Sequence, residues 1–227
     1  MNKIVADLAV EAGHEIAGVI SSSQTDYTAF ESIDEAKADV AIDFSNPERI
    51  LPLIKQPFTT PLVVATTGQK EEIVAELQAR SKAAPVFFSA NMSYGVHVLN
   101  QLLQSALEQL GDYDLELIER HHNKKVDAPS GTLVKLLDTA LDARQGSYPV
   151  YDRSSVSQPR SVDEIGVSAI RGGTIVGQHD AIFAGHDEVI ELKHIAQSKD
   201  IFANGAIKAA ESLINKSNGF YDYNNIF

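Results

Sequence analysis

Residues 61–88 read PLVVATTGQKEEIVAELQARSKAAPVFF, and this stretch decides the fold of the N-terminal half of the chain. Pro61–Thr66 and Pro85–Phe88 are short apolar runs, which is typical of strands buried inside a sheet. Gln69–Lys82 lies between them and predicts an amphipathic helix. A buried strand, a helix and a second buried strand are the repeating unit of a parallel sheet that helices cover on both faces.

The same alternation extends upstream from this stretch. Glu15–Ile20 and Asp39–Phe44 predict two more strands, and Pro47–Ile54 predicts a helix. We therefore predict an α/β fold class, with a Rossmann-like, doubly wound parallel sheet over residues 1–92. The chain opens inside an apparent helix, so we expect the first strand and Gly-rich turn of such a domain to be missing. Such a turn normally holds a cofactor pyrophosphate, so a version extended by about ten residues is expected to bind a dinucleotide more tightly.

The pattern changes after residue 92 and predicts a second, α+β domain with a mixed or antiparallel sheet over residues 93–202. Its predicted elements are listed in chain order: a helix over Val96–Leu110, a strand over Tyr113–His122, a helix capped by Ser130, a loop over Gln145–Asp163, and extended runs over Ile165–Arg171, Thr174–Phe183 and Glu188–Ala196. Gly172-Gly173 predicts a hairpin between the first two runs. Residues 203–216 predict a last helix.

Composition and charge exclude several classes of protein. The chain has 227 residues with 19 Lys and Arg against 31 Asp and Glu, a formal net charge of -12. Such a surface repels phosphate backbones and anionic lipid, so we expect neither a nucleic-acid nor a membrane partner. The chain has no cysteine, which excludes disulfides, thiolate zinc sites and a cysteine nucleophile. No apolar run is long enough to span a membrane, and we expect a cytoplasmic protein.

The stretch Glu116–Thr132, ELIERHHNKKVDAPSGT, concentrates the residues that could carry chemistry. His121, His122, Lys124 and Lys125 form a basic cluster that could bind a small polyanion and transfer protons near neutral pH. The residues that follow read as a turn into a helix N-terminus, which is a ready site for a carboxylate or phosphate. The alternatives are a solvated basic turn and a plain helix cap. The basic cluster and the helix N-terminus lie close together in the chain, which favours a site for a small carboxylate substrate.

The segment HHNKKVDAPSGT resembles the signature of the bacterial dihydrodipicolinate reductase family, also called 4-hydroxy-tetrahydrodipicolinate reductase. The resemblance covers most of the chain from about residue 38 and includes four further segments: VVATTG (Val63–Gly68), FFSANMSYGV (Phe87–Val96), RGGTIVGQH (Arg171–His179) and QSKDIFANGA (Gln197–Ala206). It implies an NADH- or NADPH-dependent reductase of a cyclic dicarboxylate in lysine and diaminopimelate biosynthesis. It also implies a homotetramer built through the second domain, with residues 203–227 completing the dinucleotide-binding domain.

The resemblance implies a role for individual residues. The catalytic positions are His121 and Lys125, and the residues alone leave open which of them delivers the proton. The substrate-binding positions are His122, Gly131 and Thr132. The cofactor-binding positions are Ala65, Thr66, Thr67, Ser89, Ala90, Asn91 and Met92. They follow two predicted parallel strands, where open α/β sheets bind their ligands.

Two questions stay open at this point. Ser21–Ser23 follow the strand Glu15–Ile20, where dinucleotide folds commonly place an acidic residue, so we expect both NADH and NADPH to be accepted. A non-catalytic nucleotide-sensing module with an oligomerisation domain is the alternative to an enzyme, although a pure binder would not need proton donors such as His121 and Lys125. No spacing around the histidines predicts a metal site.

Overall fold

The computed structural model describes residues 1–21 and 25–227. The chain divides into two compact units: Met1–Tyr94 with Asp200–Phe227 form the first, and Gly95–Lys199 form the second. Ser22 and Ser23, on which the expectation about cofactor choice depends, lie outside the described residues. In the parts of the chain that the structure describes, no helix combines the length and the apolar composition needed to cross a membrane.

Six helices and eleven strands are present in the described residues. The helices are α1 (Asn2–Glu11), α2 (Pro47–Ile54), α3 (Lys70–Arg80), α4 (Tyr94–Gln109), α5 (Gly131–Ala143) and α6 (Asp200–Leu213). The strands are β1 (Val19–Ile20), β2 (Ala29–Phe30), β3 (Ala41–Asp43), β4 (Leu62–Val64), β5 (Pro85–Phe88), β6 (Asp114–His121), β7 (Tyr148–Val150), β8 (Glu164–Arg171), β9 (Gly177–Ala184), β10 (Val189–Ala196) and β11 (Gly219–Tyr221).

The first unit is built on a parallel four-stranded sheet in the order β11-β5-β4-β3. Leu62 and Val64 of β4 are buried in one core with residues of α2 and α3, whereas Val63 is buried in another core with residues of α6. Successive strand residues point to opposite faces, so both faces of this sheet are apolar and both are covered. This confirms the predicted doubly wound, Rossmann-like architecture.

The first predicted strand does not join that sheet. Only Val19–Ile20 of the predicted stretch is extended, and these residues pair in parallel with β2 as a separate two-stranded sheet. Gly18 accounts for the close approach of the two segments, since a Cβ there would lie 2.3 Å from the Phe30 ring and 2.5 Å from the Thr28 carbonyl oxygen. The apolar pattern predicted an extended segment but could not predict its partner.

The second unit is built on a mixed sheet in the order β10-β9-β6-β8-β7. Strand β6 pairs in parallel with β8 and antiparallel with β9, and β9 and β10 form a hairpin. Helices α4 and α5 supply leucines to one core, where they pack with Leu115 and Leu117 of β6. The predicted α+β unit with a mixed sheet is confirmed.

The predicted hairpin at Gly172-Gly173 is wrong. Strands β8 and β9 do not pair with each other, because β6 lies between them and pairs with both. The connection crosses the end of β6 instead: the Gly172 N–H donates to the His121 carbonyl oxygen at 2.9 Å, and the Asn123 N–H donates to the Gly173 carbonyl oxygen at 3.2 Å. Strand β6, in which buried residues alternate along most of the length, lies at the centre of the sheet. The two glycines predict a turn but not which strands it connects side by side.

Candidate active site

The end of β6 carries the first site residues. Leu115 and Leu117 point into the core, and the two-residue period of a strand continues through Glu119 to His121 on the same face. Glu119 is fully buried, and the side chain of His121 is 12% exposed. A charged residue therefore replaces leucine in the core just where the strand reaches the surface.

Glu119 accepts hydrogen bonds at both carboxylate oxygens. Arg171 donates from its two terminal nitrogens, at 2.8 Å to Oε2 and 2.7 Å to Oε1. Oε2 also contacts Nδ1 of His121, and the backbone N–H of Ser130 donates to Oε1 at 3.1 Å. Burial is the largest single influence on Glu119 and opposes its ionisation, but the bonds from Arg171, His121 and Ser130 outweigh it and lower the pKa of this carboxyl.

Ser130 joins this carboxylate to the start of α5. Its Oγ accepts from the Leu133 N–H at 3.3 Å, which confirms the predicted helix cap. The same Oγ lies 3.0 Å from Nε2 of His179, a residue that is 4% exposed. Burial, followed by the neighbouring His121, lowers the pKa of His179 to about 4, so this ring is neutral at physiological pH.

The segment between β6 and α5 is held by the same arginine. Nη2 of Arg171 donates to the Asp127 carbonyl oxygen at 2.6 Å. Nζ of Lys125 lies 2.7 and 2.8 Å from the two Asp127 carboxylate oxygens, and this pairing lowers the pKa of Asp127. The Lys125 N–H also donates to the His122 carbonyl oxygen at 3.2 Å, which bends the segment back on itself. Lys125 is thus held by its side chain and its backbone.

Gly131 and Thr132 form the first turn of α5. N–H groups in the first turn of a helix have no carbonyl partners within the helix, and the helix dipole adds partial positive charge there. Gly131 is exposed, and a Cβ at this position would meet nothing within 4 Å. Nδ1 of His122 is buried without a hydrogen-bond partner among the described residues. A buried polar atom of this kind is costly unless a ligand or water completes it.

The residues predicted to bind the cofactor lie at the carboxyl ends of β4 and β5. The two strands are adjacent, and the Ser89 N–H donates to the Val64 carbonyl oxygen at 3.1 Å. The Thr66 hydroxyl lies 2.5 Å from a carboxylate oxygen of Asp43, at the end of β3. Tyr223 donates its hydroxyl to the Met92 carbonyl oxygen at 2.7 Å. Three neighbouring strand ends therefore form one edge, which is where open parallel sheets bind dinucleotides.

These seven residues differ in exposure. Ala65, Thr66 and Met92 are buried, Ser89 and Asn91 are half-buried, and Thr67 and Ala90 are exposed. After Thr67 the chain turns through Gly68, whose φ of 91° is in the left-handed region that favours glycine. Thr67 is exposed at this turn, which fits contact with a nucleotide.

Sequence reasoning missed Glu119, Arg171 and His179 as parts of the site. A partial signal exists for Glu119, which precedes His121 by two residues and must share its face of the strand. Arg171 carries no such signal, because it meets Glu119 from 52 residues away in the chain. Strand β8 brings it there by pairing His121 with Arg171 across the ladder.

Comparison with known proteins agrees with this arrangement. Two family models match the chain: "Dihydrodipicolinate reductase, N-terminus" over residues 3–92 and "Dihydrodipicolinate reductase, C-terminus" over residues 95–227. The 4-hydroxy-tetrahydrodipicolinate reductase of Staphylococcus haemolyticus is 59% identical over 100% of this chain and 96% of its own length. The enzyme of the same name from Staphylococcus carnosus is 60% identical, over 100% and 95%.

Solved structures support the fold. A dipicolinate-bound dihydrodipicolinate reductase from Paenisporosarcina sp. TG-14 matches with a TM-score of 0.69 at 18% identity, covering 96% of this chain and 84% of that one. An engineered D-amino acid dehydrogenase bound to NADP+ matches with a TM-score of 0.54 at 13% identity, covering 98% and 90%. Family models that span nearly all of the sequence, together with relatives of about 60% identity over its whole length, establish that the chain belongs to the dihydrodipicolinate reductase family.

Proposed function

We propose that the chain uses NADH or NADPH to reduce the dihydrodipicolinate that arises from 4-hydroxy-tetrahydrodipicolinate, giving tetrahydrodipicolinate for lysine and diaminopimelate biosynthesis. The observation that carries this proposal is the cluster at the end of β6, where His121 is anchored on buried Glu119 and Lys125 on Asp127. Both proton-transfer groups lie close in the chain to the N-terminus of α5. Family membership supplies the reaction, and this cluster supplies groups suited to it.

Substrate binding is assigned to His122, Gly131 and Thr132. A dicarboxylate needs positive charge and hydrogen-bond donors in a protein whose net charge is -12. The first turn of α5 offers backbone donors and a positive dipole end to one carboxylate. His122 adds a ring whose buried Nδ1 has no partner among the described residues, and Lys125 adds a positive charge. The substrate class that fits is a small cyclic dicarboxylate.

Proton delivery is assigned to His121 and Lys125. The nicotinamide cofactor supplies a hydride when bound. Addition of a hydride to an unsaturated ring displaces an electron pair, and a proton must neutralise it. His121 is half-buried and oriented by Glu119, and Nζ of Lys125 is held 2.7 Å from Asp127, so both are positioned near the substrate-binding turn. Either group is able to act as a general acid, and kinetics must decide between them.

Dinucleotide binding is assigned to residues 1–92 with 203–227, through Ala65, Thr66, Thr67, Ser89, Ala90, Asn91 and Met92. Substrate binding and tetramer formation are assigned to residues 93–202. Asp43 fixes the first cofactor loop at two points, since its carbonyl oxygen accepts from the Ala65 N–H at 2.8 Å and its carboxylate contacts the Thr66 hydroxyl. The absence of cysteine suits the reducing cytoplasm, where we place the reaction.

The test is loss of the near-ultraviolet absorbance of NADH or NADPH in the presence of freshly generated substrate. We expect His121→Ala and Lys125→Ala each to lower kcat by roughly 10²–10⁴-fold, the usual contribution of general acid catalysis. His122→Ala and Thr132→Val should act mainly on KM. Lys135→Ala, an exposed lysine of α5, is the matched control and should keep wild-type kinetics. Wild-type kcat in both the His121 and Lys125 variants would refute these roles.

We also propose that the chain forms a homotetramer through the second unit. The face of its sheet opposite α4 and α5 carries apolar side chains that are half-buried or exposed: Ile118, Ile170, Ile182, Val189 and Ile195. Charged residues share this face, namely Glu116, Arg120, Asp180, Glu191 and Lys193, but exposed apolar side chains on a sheet face are usually covered by another chain. Light scattering at micromolar protein should give four times the chain mass, and a mass of 24.6 kDa would rule the assembly out.

A further inference from the structure

We propose that Glu119 is the positioning residue of the site: it holds His121 as the tautomer protonated on Nδ1, and through Arg171 it ties the ring to the segment that carries Lys125. The kinetic consequence of this inference rests on the proposed function, whereas the tautomer assigned to His121 does not.

The tautomer follows from the partners of the carboxylate. Arg171 donates to both oxygens of Glu119, and the Ser130 N–H donates to one of them. A carboxylate surrounded by these donors is ionised, and an ionised carboxylate only accepts hydrogen bonds. His121 contacts it through Nδ1, so Nδ1 must carry the proton. The proton that His121 gains or loses during a reaction is then on Nε2.

The surroundings of Nε2 agree with that role. A Cβ at Gly177 would lie 3.0 Å from Nε2 of His121, so any larger residue would press on this nitrogen. The ring of His179 lies 5.2 Å from that of His121, edge to face, and stays neutral because it is buried. A charged neighbour would discourage protonation of His121, and a neutral one does not.

The second half of the inference concerns the segment between β6 and α5. Arg171 joins Glu119 to the Asp127 carbonyl oxygen, and the Asp127 carboxylate holds Nζ of Lys125. The same Glu119 accepts from the backbone of Ser130, immediately before α5. A single buried charge therefore orients the histidine ring and fixes both ends of the segment that carries the lysine.

The first experiment measures the tautomer in the intact protein. Nitrogen NMR of histidine-labelled protein, at a pH where His121 is neutral, should show Nδ1 protonated and Nε2 bare, with the signal assigned by its loss in His121→Asn. The opposite tautomer overturns the inference. The measurement needs neither substrate nor cofactor, so it stands even if the proposed reaction is wrong.

The second experiment uses Glu119→Gln. The Oε1 position receives donors from both Arg171 and the Ser130 backbone, so the amide oxygen takes that position. The amide nitrogen then takes the Oε2 position, loses the second bond from Arg171 and donates to Nδ1 of His121, so the proton moves to Nε2. We expect an inverted tautomer and a fall in kcat of about 10²–10⁴-fold, with a smaller change in KM. Glu108→Gln, an exposed glutamate of α4, should change neither.

Each outcome decides the question. A folded Glu119→Gln protein with wild-type kcat, or with the tautomer unchanged, overturns the inference. If this variant does not fold, the tautomer of the wild-type protein decides it alone. If the wild-type protein shows the expected tautomer but no reductase activity, the proposed function fails while the positioning of His121 by Glu119 stands.

Discussion

Replacement of Arg171 by methionine should destabilise the second unit far more than an ordinary ion-pair deletion. Methionine keeps most of the side-chain volume but removes both hydrogen bonds to Glu119 and the bond to the Asp127 carbonyl oxygen. Glu119 is fully buried and would retain only His121 and the Ser130 N–H. Breaking a buried pair on one side costs about 3–5 kcal/mol, because the remaining charge stays desolvated after losing its main partner. That is a large part of a typical stability of about 5–15 kcal/mol.

The assay is urea unfolding at fixed protein concentration, followed by far-ultraviolet circular dichroism. Lys55→Met is the control, because Lys55 pairs with Glu72 at 2.7 Å while both side chains are about half exposed, and such surface pairs contribute little to stability. The double variant with Glu119→Gln should lose less stability than the two single losses combined, since it leaves no buried charge behind. A loss in Arg171→Met no larger than in the Lys55 control would refute the reasoning.

The pH dependence of the stability difference between the wild-type protein and Arg171→Met gives a second check. Glu119 has a pKa below its ordinary value of 4.5 in the folded protein. Its contribution to stability is therefore present above pH 4.5 and is lost as the pH falls through the folded pKa. The gap between wild type and Arg171→Met should therefore be widest near neutral pH and narrow in acid. A gap that widens in acid would contradict the assignment of Glu119 as the ionised partner.

Two further predictions concern stability. The pKa of His179 is about 4 in the folded protein against an ordinary value of 6.5. The wild-type protein should therefore lose about 3 kcal/mol of unfolding free energy as the pH falls from 6.5 to 4, and the His179→Gln variant should lose less. Urea titrations that give the same pH profile for both proteins would contradict this. A Cβ at Gly205 would lie 1.7 Å from the Met92 carbonyl oxygen, so Gly205→Ala should cost roughly 1–3 kcal/mol or more in stability. Gly111→Ala, with nothing within 4 Å, should stay within about 0.5 kcal/mol of wild type by the same assay.

Local pattern was sufficient for most elements of the first unit. Helix α2 and strand β5 have the bounds that their patterns predicted, because Asn46 caps the helix before Pro47 and because β5 is buried on both faces. These signals act over a few residues, through capping, φ restriction and burial of contiguous apolar side chains. The cluster of His121, His122 and Lys125 was visible for the same reason, since its members are adjacent in the chain.

The sequence by itself determined most of the helices and strands and the segment that holds the proposed proton-transfer groups. It did not predict the short strands β2, β7 and β11, and β7 lies inside the predicted loop Gln145–Asp163. Only the tertiary structure decided that β6 lies between β8 and β9, and hence that Arg171 reaches Glu119 from 52 residues away. Strand order and register depend on how all the strands compete for one buried centre, and no local pattern encodes the outcome. The partners of a buried charge are set by that competition, which is why the residue that orients His121 could be found only in the folded chain.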